Sequence, residues 1–285
     1  MAAVLPAASV QSGGRRVRFL PGDLLGIVVA EYLNADGAAV PISANDAAER
    51  RMGERKVLLE RTKIGSPYVI SALDELRAKK AAQRIVGWEA NGGFLTGSDI
   101  ALSGGTLAAL PTRDATLPIL ANLFAAAEQG IHLSTLWDRL PARFGRAGLL
   151  DNFPVATSRA ILAQLTPSKN VNEVEFDSAE HAGVTAARPP ASPSQDWQRC
   201  KTTLMGFFTP ALGFDDIVRI NVLDGVRVYF RNGDIAHIRP SGNAPQLRVY
   251  AVSDSQARAD NIVECAVREP DGILRQLERA LTVSR

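Results

Sequence analysis

Hydrophobic and polar positions fall into regular patterns from Phe19 onward. PGDLLGIVVAEYL (21–33) opens on Pro21 at a first helical turn and then repeats apolar residues at helical spacing. DGAAVPI (36–42) is a short apolar strand and NDAAERRMGE (45–54) a polar helix. KVLLERTKIG (56–65) predicts strand then loop, and SPYVISALDELRAKKAA (66–82) a helix with Ser66 as N-cap and Pro67 at N1. RIVGWEANGGF (84–94) runs from strand into a Gly-rich turn. TRDATLPILANLFAAAEQG (112–130) is a long amphipathic helix ending at Gly130, and HLSTLWDRLPARF (132–144) adds another helical stretch. Strands alternating with helices predict a layered α/β domain over about residues 18–143.

The second half has a different pattern. TAARPPASPSQDW (185–197) concentrates Pro, Ser and Ala and predicts a linker or long surface loop. IVRINVLDGVRVYFRNGDIAHIRP (217–240) alternates apolar and polar residues in two runs, with Asn232-Gly233 as a strong hairpin signal. LRVYAV (247–252) is a third strand, followed by helices over SDSQARADNIVECAVREPDG and ILRQLERAL. Three or four antiparallel strands followed by helices predict a small α+β domain.

Composition narrows the class without naming it. The 285 residues amount to about two domains and are 46% hydrophobic and 22% charged. Thirty-two Lys plus Arg against 30 Asp plus Glu leave +2, which does not support a nucleic-acid surface. Cys200 and Cys265 are too few for a disulfide framework, and His132, His181 and His237 lack metal-ligand spacing, so a reducing cytoplasm is expected. The best apolar run, Leu24 to Leu33, contains Glu31 and falls far short of the ~20 residues that a bilayer requires. The N-terminus lacks the basic start of a secretory signal, and residues 1–17 are expected to be an unstructured lead-in.

Three short segments could carry chemistry. In RPSGNAPQLRVY (239–250), Arg239 and Arg248 converge on a turn that offers the Ser241 hydroxyl, the bare backbone of Gly242 and the Asn243 amide. Planar guanidinium forks match phosphate oxygens, although on spacing alone an ordinary hairpin turn with surface arginines reads equally well. In GWEANGGF (87–94), Glu89 can accept hydrogen bonds from two sugar hydroxyls with Asn91 beside it, or can be a solvated Glu in a glycine-rich turn. In RTKIGSPYVI (61–70), Arg61 and Lys63 precede a helix N-terminus, where an anion would be favoured.

Taken in order, FLPGDLLG (19–26), RTKIGSPYVI, GWEANGGF, LPTRDATLPIL (110–120), DGVRVYF (224–230) and RPSGNAPQLRVY resemble the α-D-phosphohexomutases of the bacterial phosphomannomutase/phosphoglucomutase type. The match spans about residues 18–280, the third and fourth of that family's four domains. It implies an α/β domain III at 18–143, a connecting segment at 144–200 and a TBP-like C-terminal domain with an antiparallel sheet at 201–285. It further implies phosphoryl transfer between positions 1 and 6 of a hexose, through a hexose 1,6-bisphosphate, with Mg²⁺ and a phosphoserine held by the first two domains. By the same resemblance, Glu89 and Asn91 fall on a sugar-hydroxyl loop and Lys63 on a basic position near the reacting phosphate. Arg239, Ser241, Gly242, Asn243 and Arg248 fall on the loop that grips the non-reacting phosphate.

The sequence also departs from that family. Relatives often have a histidine where Gly93 stands, and many have Thr-Glu in place of Asn243-Ala244. No Ser-His-Asn-Pro environment and no Asp-x-Asp-x-Asp run occurs in the chain. The expectation is a mutase half, inactive alone, that handles hexose phosphates; a non-catalytic binding remnant and a subunit paired with a separate N-terminal chain are the alternatives. The sugar preference and the oligomeric state stay open.

Overall fold

The computed structural model describes residues 11–12, 15–16, 19–168, 170–177, 184–191, 195–242 and 244–282. The chain divides into two compact units, residues 1–142 and 143–285.

In the first unit β1 (Gln11–Ser12) pairs antiparallel with β2 (Arg15–Arg16), within the stretch expected to lack structure. There follow α1 (Gly22–Tyr32), β3 (Gly37–Pro41), α2 (Ala47–Glu54), β4 (Leu58–Thr62), α3 (Ser66–Ala78) and β5 (Ile85–Trp88). Then come β6 (Phe94–Thr96), β7 (Ile100–Leu102), β8 (Gly105–Leu107), β9 (Leu110–Asp114), α4 (Thr116–Glu128) and α5 (Leu133–Asp138). The main sheet has the order β4-β3-β5-β6-β9, parallel where β3 meets β4 and β5 and antiparallel beyond. All five residues of β3 are buried because helices cover both faces. Ala38 and Val40 pack with the α1 side, and Ala39 with Val69, Leu73 and Leu76 of α3. The layered α/β class is therefore correct.

Two local expectations need correction. Ser66 is the first residue of α3, and Gly65, at φ 129°, takes the capping position. Only glycine readily accepts that backbone angle, so the glycine sets where the helix starts. The helix expected from Thr112 begins at Thr116; residues 110–114 before it are β9, drawn into the sheet by its pairing with β6.

The second unit begins with β10 (Phe144–Leu150), α6 (Val155–Leu165), β11 (Glu173–Phe176), β12 (Val184–Arg188) and α7 (Gln195–Met205). A single 3-10 turn (Pro210–Leu212) leads to β13 (Ile217–Asn221), β14 (Val226–Phe230), β15 (Ile235–Pro240) and β16 (Leu247–Ser253). The helices α8 (Gln256–Val267) and α9 (Ile273–Thr282) follow. All seven strands form one antiparallel sheet in the order β10-β16-β15-β14-β13-β11-β12. Thus the segment 144–200, expected to connect two domains, supplies three strands and two helices of this unit. Its strands are short or contain glycine, and β12 lies at an edge just before Pro189, so their pattern is weak and their pairing holds them.

One face of this sheet is apolar and packs with α6 to α9, around Ile220, Val226, Val228, Ile238 and Val249. The other face carries charge and rings. Cross-strand register aligns Arg227, His237 and Tyr250 in one row and Arg239 with Arg248 in the next.

Candidate functional site

In the first unit the site is built on the turn after β5. Glu89 N–H donates to the Gly93 carbonyl (3.0 Å), Gly92 N–H to the Glu89 carbonyl (3.0 Å), and Gly93 N–H to Asn91 Oδ1 (2.9 Å). The turn rests on the start of α1. A Cβ on Gly22 would lie 2.2 Å from the Gly92 nitrogen and 2.8 Å from the Ala90 oxygen, so glycine is required for this approach. The Trp88 indole N–H donates to the Asp23 carbonyl (2.9 Å) and ties the same two segments together. The Asp23 carboxylate accepts from the Asn45 and Leu24 amides, each at 3.0 Å. Burial raises its pKa above the ordinary carboxylate value, and those hydrogen bonds and Arg61 pull it back.

Glu89 is buried, and its partner is a residue that sequence reasoning missed. Arg113 Nε donates to Glu89 Oε1 (2.9 Å), and Arg113 Nη2 donates to Ser66 Oγ (3.1 Å). Pairing of β6 with β9 brings Arg113 beside Gly93, where a Cβ would sit 2.9 Å from the arginine's Cγ. No local pattern signals this contact; it becomes visible only once β9 is recognised as a strand. Arg113 bridges the Glu89 turn to the first residue of α3, three residues after Lys63.

Lys63 is exposed, with Nζ 5.9 Å from the centre of the Tyr68 ring. Arg61, expected beside it as an anion donor, is instead spent on structure. Its Nε donates to Glu49 (3.0 Å) and its Nη1 to the carbonyls of Pro41 (3.0 Å) and Ala44 (3.2 Å). Buried loop carbonyls need donors, and this guanidinium supplies them.

In the second unit Arg239 and Arg248 stand directly opposite each other at the end of the β15–β16 ladder. Ser241, buried in the following turn, donates its N–H to the Gln246 carbonyl (2.9 Å). Arg239 Nε donates to Asp224 Oδ1 (2.9 Å) and Arg248 Nη2 to Gln246 Oε1 (3.2 Å). Gly242 is exposed, and a Cβ there would meet nothing within 4 Å, so no steric contact in this structure demands glycine. Asn243 lies outside the described residues, as does His181. Asp224, the partner of Arg239, was not singled out in the sequence; it belongs to the turn between β14 and the strand before it.

Two opposed arginines, Arg239 on the Asp224 carboxylate and Arg248 on the Gln246 amide oxygen, suit an anion with several oxygens. Among the described residues no group of three or more His, Cys, Asp or Glu is placed to hold a metal ion. Glu89, the acidic residue of the first-unit turn, already faces Arg113, so these residues do not fit a Mg²⁺ site. The two free cysteines are buried, and burial pushes the Cys200 thiol up to about 12, away from nucleophilic use. No helix of the described residues is long and apolar enough to cross a membrane.

Comparison with known proteins places this geometry. Residues 21–144 match the model for "Phosphoglucomutase/phosphomannomutase, alpha/beta/alpha domain III", and residues 154–269 match that for the C-terminal domain of the same family. The phosphomannomutase of Salmonella muenchen is 38% identical over 248 residues, and that of Sinorhizobium fredii 37% identical over 247. Each match covers 86% of this chain and 43% of the relative, so the chain spans less than half the length of either. The fold is similar to that of the open form of parafusin, a phosphoglucomutase from Paramecium (TM-score 0.53, 15% identity, 93% of this chain and 42% of that one). It is likewise similar to Aspergillus fumigatus N-acetylphosphoglucosamine mutase in complex with GlcNAc-6P and magnesium (TM-score 0.51, 12% identity, 93% and 45%). The chain belongs to the phosphoglucomutase/phosphomannomutase family, of which it carries the α/β/α domain III and the C-terminal domain.

Proposed function

We propose that this chain binds hexose phosphates, with the sugar and phosphate grips of a phosphomannomutase/phosphoglucomutase-type enzyme. In the first unit, Glu89 accepts hydrogen bonds from sugar hydroxyls, Asn91 lies on the same turn, and Lys63 stands at the basic approach to α3. In the second unit, Arg239, Arg248, Ser241, Gly242 and Asn243 take the phosphate that does not react. The observation that carries the reading is the Arg239–Arg248 pair facing across β15 and β16, a like-charge pairing that Asp224 offsets at Arg239 and that a bound anion would relieve further.

The family's reaction moves a phosphoryl group between positions 1 and 6 of a hexose. Such transfers rest on positioning and electrostatic stabilisation. This chain's residues bind and orient; the donor serine and the metal carboxylates have no counterpart among the residues identified here. We therefore assign binding to the chain alone and no turnover. Catalysis together with the domains that supply the donor serine and the metal carboxylates is the second reading; the chain spans less than half the length of each relative. Two buried, unpaired cysteines fit a reducing cytoplasm.

Calorimetry with mannose 1-phosphate and glucose 1-phosphate tests the binding. Arg239→Ala is expected to weaken it by about 1.5–3 kcal/mol, the worth of a hydrogen bond to a charged group; unchanged affinity would show the turn to be misassigned. In a coupled assay with Mg²⁺ and a hexose 1,6-bisphosphate, the purified chain is expected to show no conversion, and turnover above background would overturn the assignment of binding alone.

A further inference from the structure

Behind the Arg239–Arg248 pair lies a group that the proposed grip does not use. His237, two residues before Arg239 on β15, is fully buried. Its Nε2 lies 2.7 Å from the carbonyl oxygen of Asp224. A carbonyl only accepts, so Nε2 carries a proton, and the buried Nδ1, with no hydrogen-bond partner among the described residues, fits the neutral ring. Burial, with Arg227 beside the ring, lowers its pKa to about 3, in keeping with that neutral form. The same residue, Asp224, holds Arg239 by its side chain, Oδ1 accepting from Nε at 2.9 Å.

The turn that joins these groups is closely fitted. Gly225 has φ 85°, and a Cβ there would come within 2.3 Å of the Ile238 oxygen and 3.1 Å of both the His237 Nε2 and the Arg239 Cβ. Asp224 is thus held at its carbonyl by His237 and at its carboxylate by Arg239. The hydrogen bond to Asp224 uses Nε of Arg239 and leaves the Nη1 and Nη2 donors outside that bond.

We propose that His237 is a positioning residue for phosphate binding: it fixes the backbone of Asp224, so that the Asp224 carboxylate aims the donor fork of Arg239 at the phosphate. This rests on the reading of the 239–248 turn as a phosphate grip. A neutral donor suits the task, because a protonated imidazole would add a third cation beside Arg227 and Arg239, whereas an apolar residue would remove the imidazole donor from the Asp224 carbonyl.

The test is a double-mutant cycle on the full chain, read by calorimetry with mannose 1-phosphate and glucose 1-phosphate. His237→Leu is expected to weaken binding about 3- to 10-fold, the scale of one hydrogen bond. His237→Gln, which retains a side-chain donor, is expected to recover most of that loss. In the Arg239→Ala background, His237→Leu should change affinity less than about 2-fold, because the arginine that it acts through is gone. A purely structural weakening would persist in that background and overturn the proposal, as would a His237→Leu protein that binds like wild type. If His237→Leu does not fold, Asp224→Ala interrogates the same link from its other end and must likewise lose its effect when Arg239 is absent. Wild-type protein that takes up neither sugar would overturn the phosphate reading itself and the positioning role with it. Wild-type binding with an unmoved His237→Leu would overturn the positioning role alone.

Discussion

At His237 the buried setting and the nearby Arg227 lower the imidazole pKa to about 3, so the native protein keeps the ring neutral at any ordinary pH. In the unfolded chain the same ring takes up a proton near its usual 6.5. Between about pH 6.5 and 3 the unfolded state therefore binds a proton that the native state lacks. Stability accordingly falls as pH drops through that window, by up to about 1.4 kcal/mol per pH unit from this group. His237→Gln removes this contribution. Its stability deficit relative to wild type, measured by urea unfolding at pH 7, 5.5 and 4.5, is expected to shrink as the pH falls; a constant gap would mean that the native ring charges normally. Individual residues were unevenly legible. Arg239, Arg248 and Glu89 announce themselves by residue type beside a glycine turn. Arg113 and Asp224 do not, because each acquires its role from a partner 24 or 15 positions away.

Among the elements, those with strong local signals were readable. Asn232-Gly233 turns between β14 and β15, and Gly130 ends α4 at φ 64°. Among the elements that were missed, β9, β10 and β11 depend on pairing with strands at least 14 positions away, which no short local window contains. Gly22 shows the two influences opposed. In a helix, alanine is preferred over glycine by up to about 1 kcal/mol, so propensity alone favours Gly22→Ala. The contact decides otherwise, since the new Cβ would meet backbone atoms of Gly92 and Ala90, which cannot rotate away. Gly22→Ala is expected to cost a net 1–3 kcal/mol, on the order of other overpacked sites, and to lower the melting temperature. An unchanged or raised melting temperature would show that the Glu89 turn does not rest on α1 as described.

For the whole molecule, length alone suggests two domains; the sequence pattern puts the end of the first at about residue 143, and the family resemblance puts the start of the second at 201. The chain passes from one unit to the next at residues 142–143, and the segment 144–200 contributes Leu150, Phe153, Ile161, Leu165, Val174 and Trp197 to the second core. Separate cores around Trp88 and around Phe208 predict two unfolding steps in calorimetry. The Arg239–Arg248 pair then has a consequence for handling the protein. A ligand that binds only the native form adds RT ln(1 + [L]/Kd), about 2.7 kcal/mol at a hundred times Kd. Inorganic phosphate, the simplest anion with the right oxygens, is therefore expected to raise the melting temperature of the step that belongs to residues 143–285 and to leave the other in place. Arg239→Ala should abolish the shift, and an equal rise in both steps would point to a general salt effect. On this view the choice of buffer is itself a titration: a preparation kept in phosphate carries its site partly filled, and its measured stability and sugar affinity both report the buffer as much as the protein.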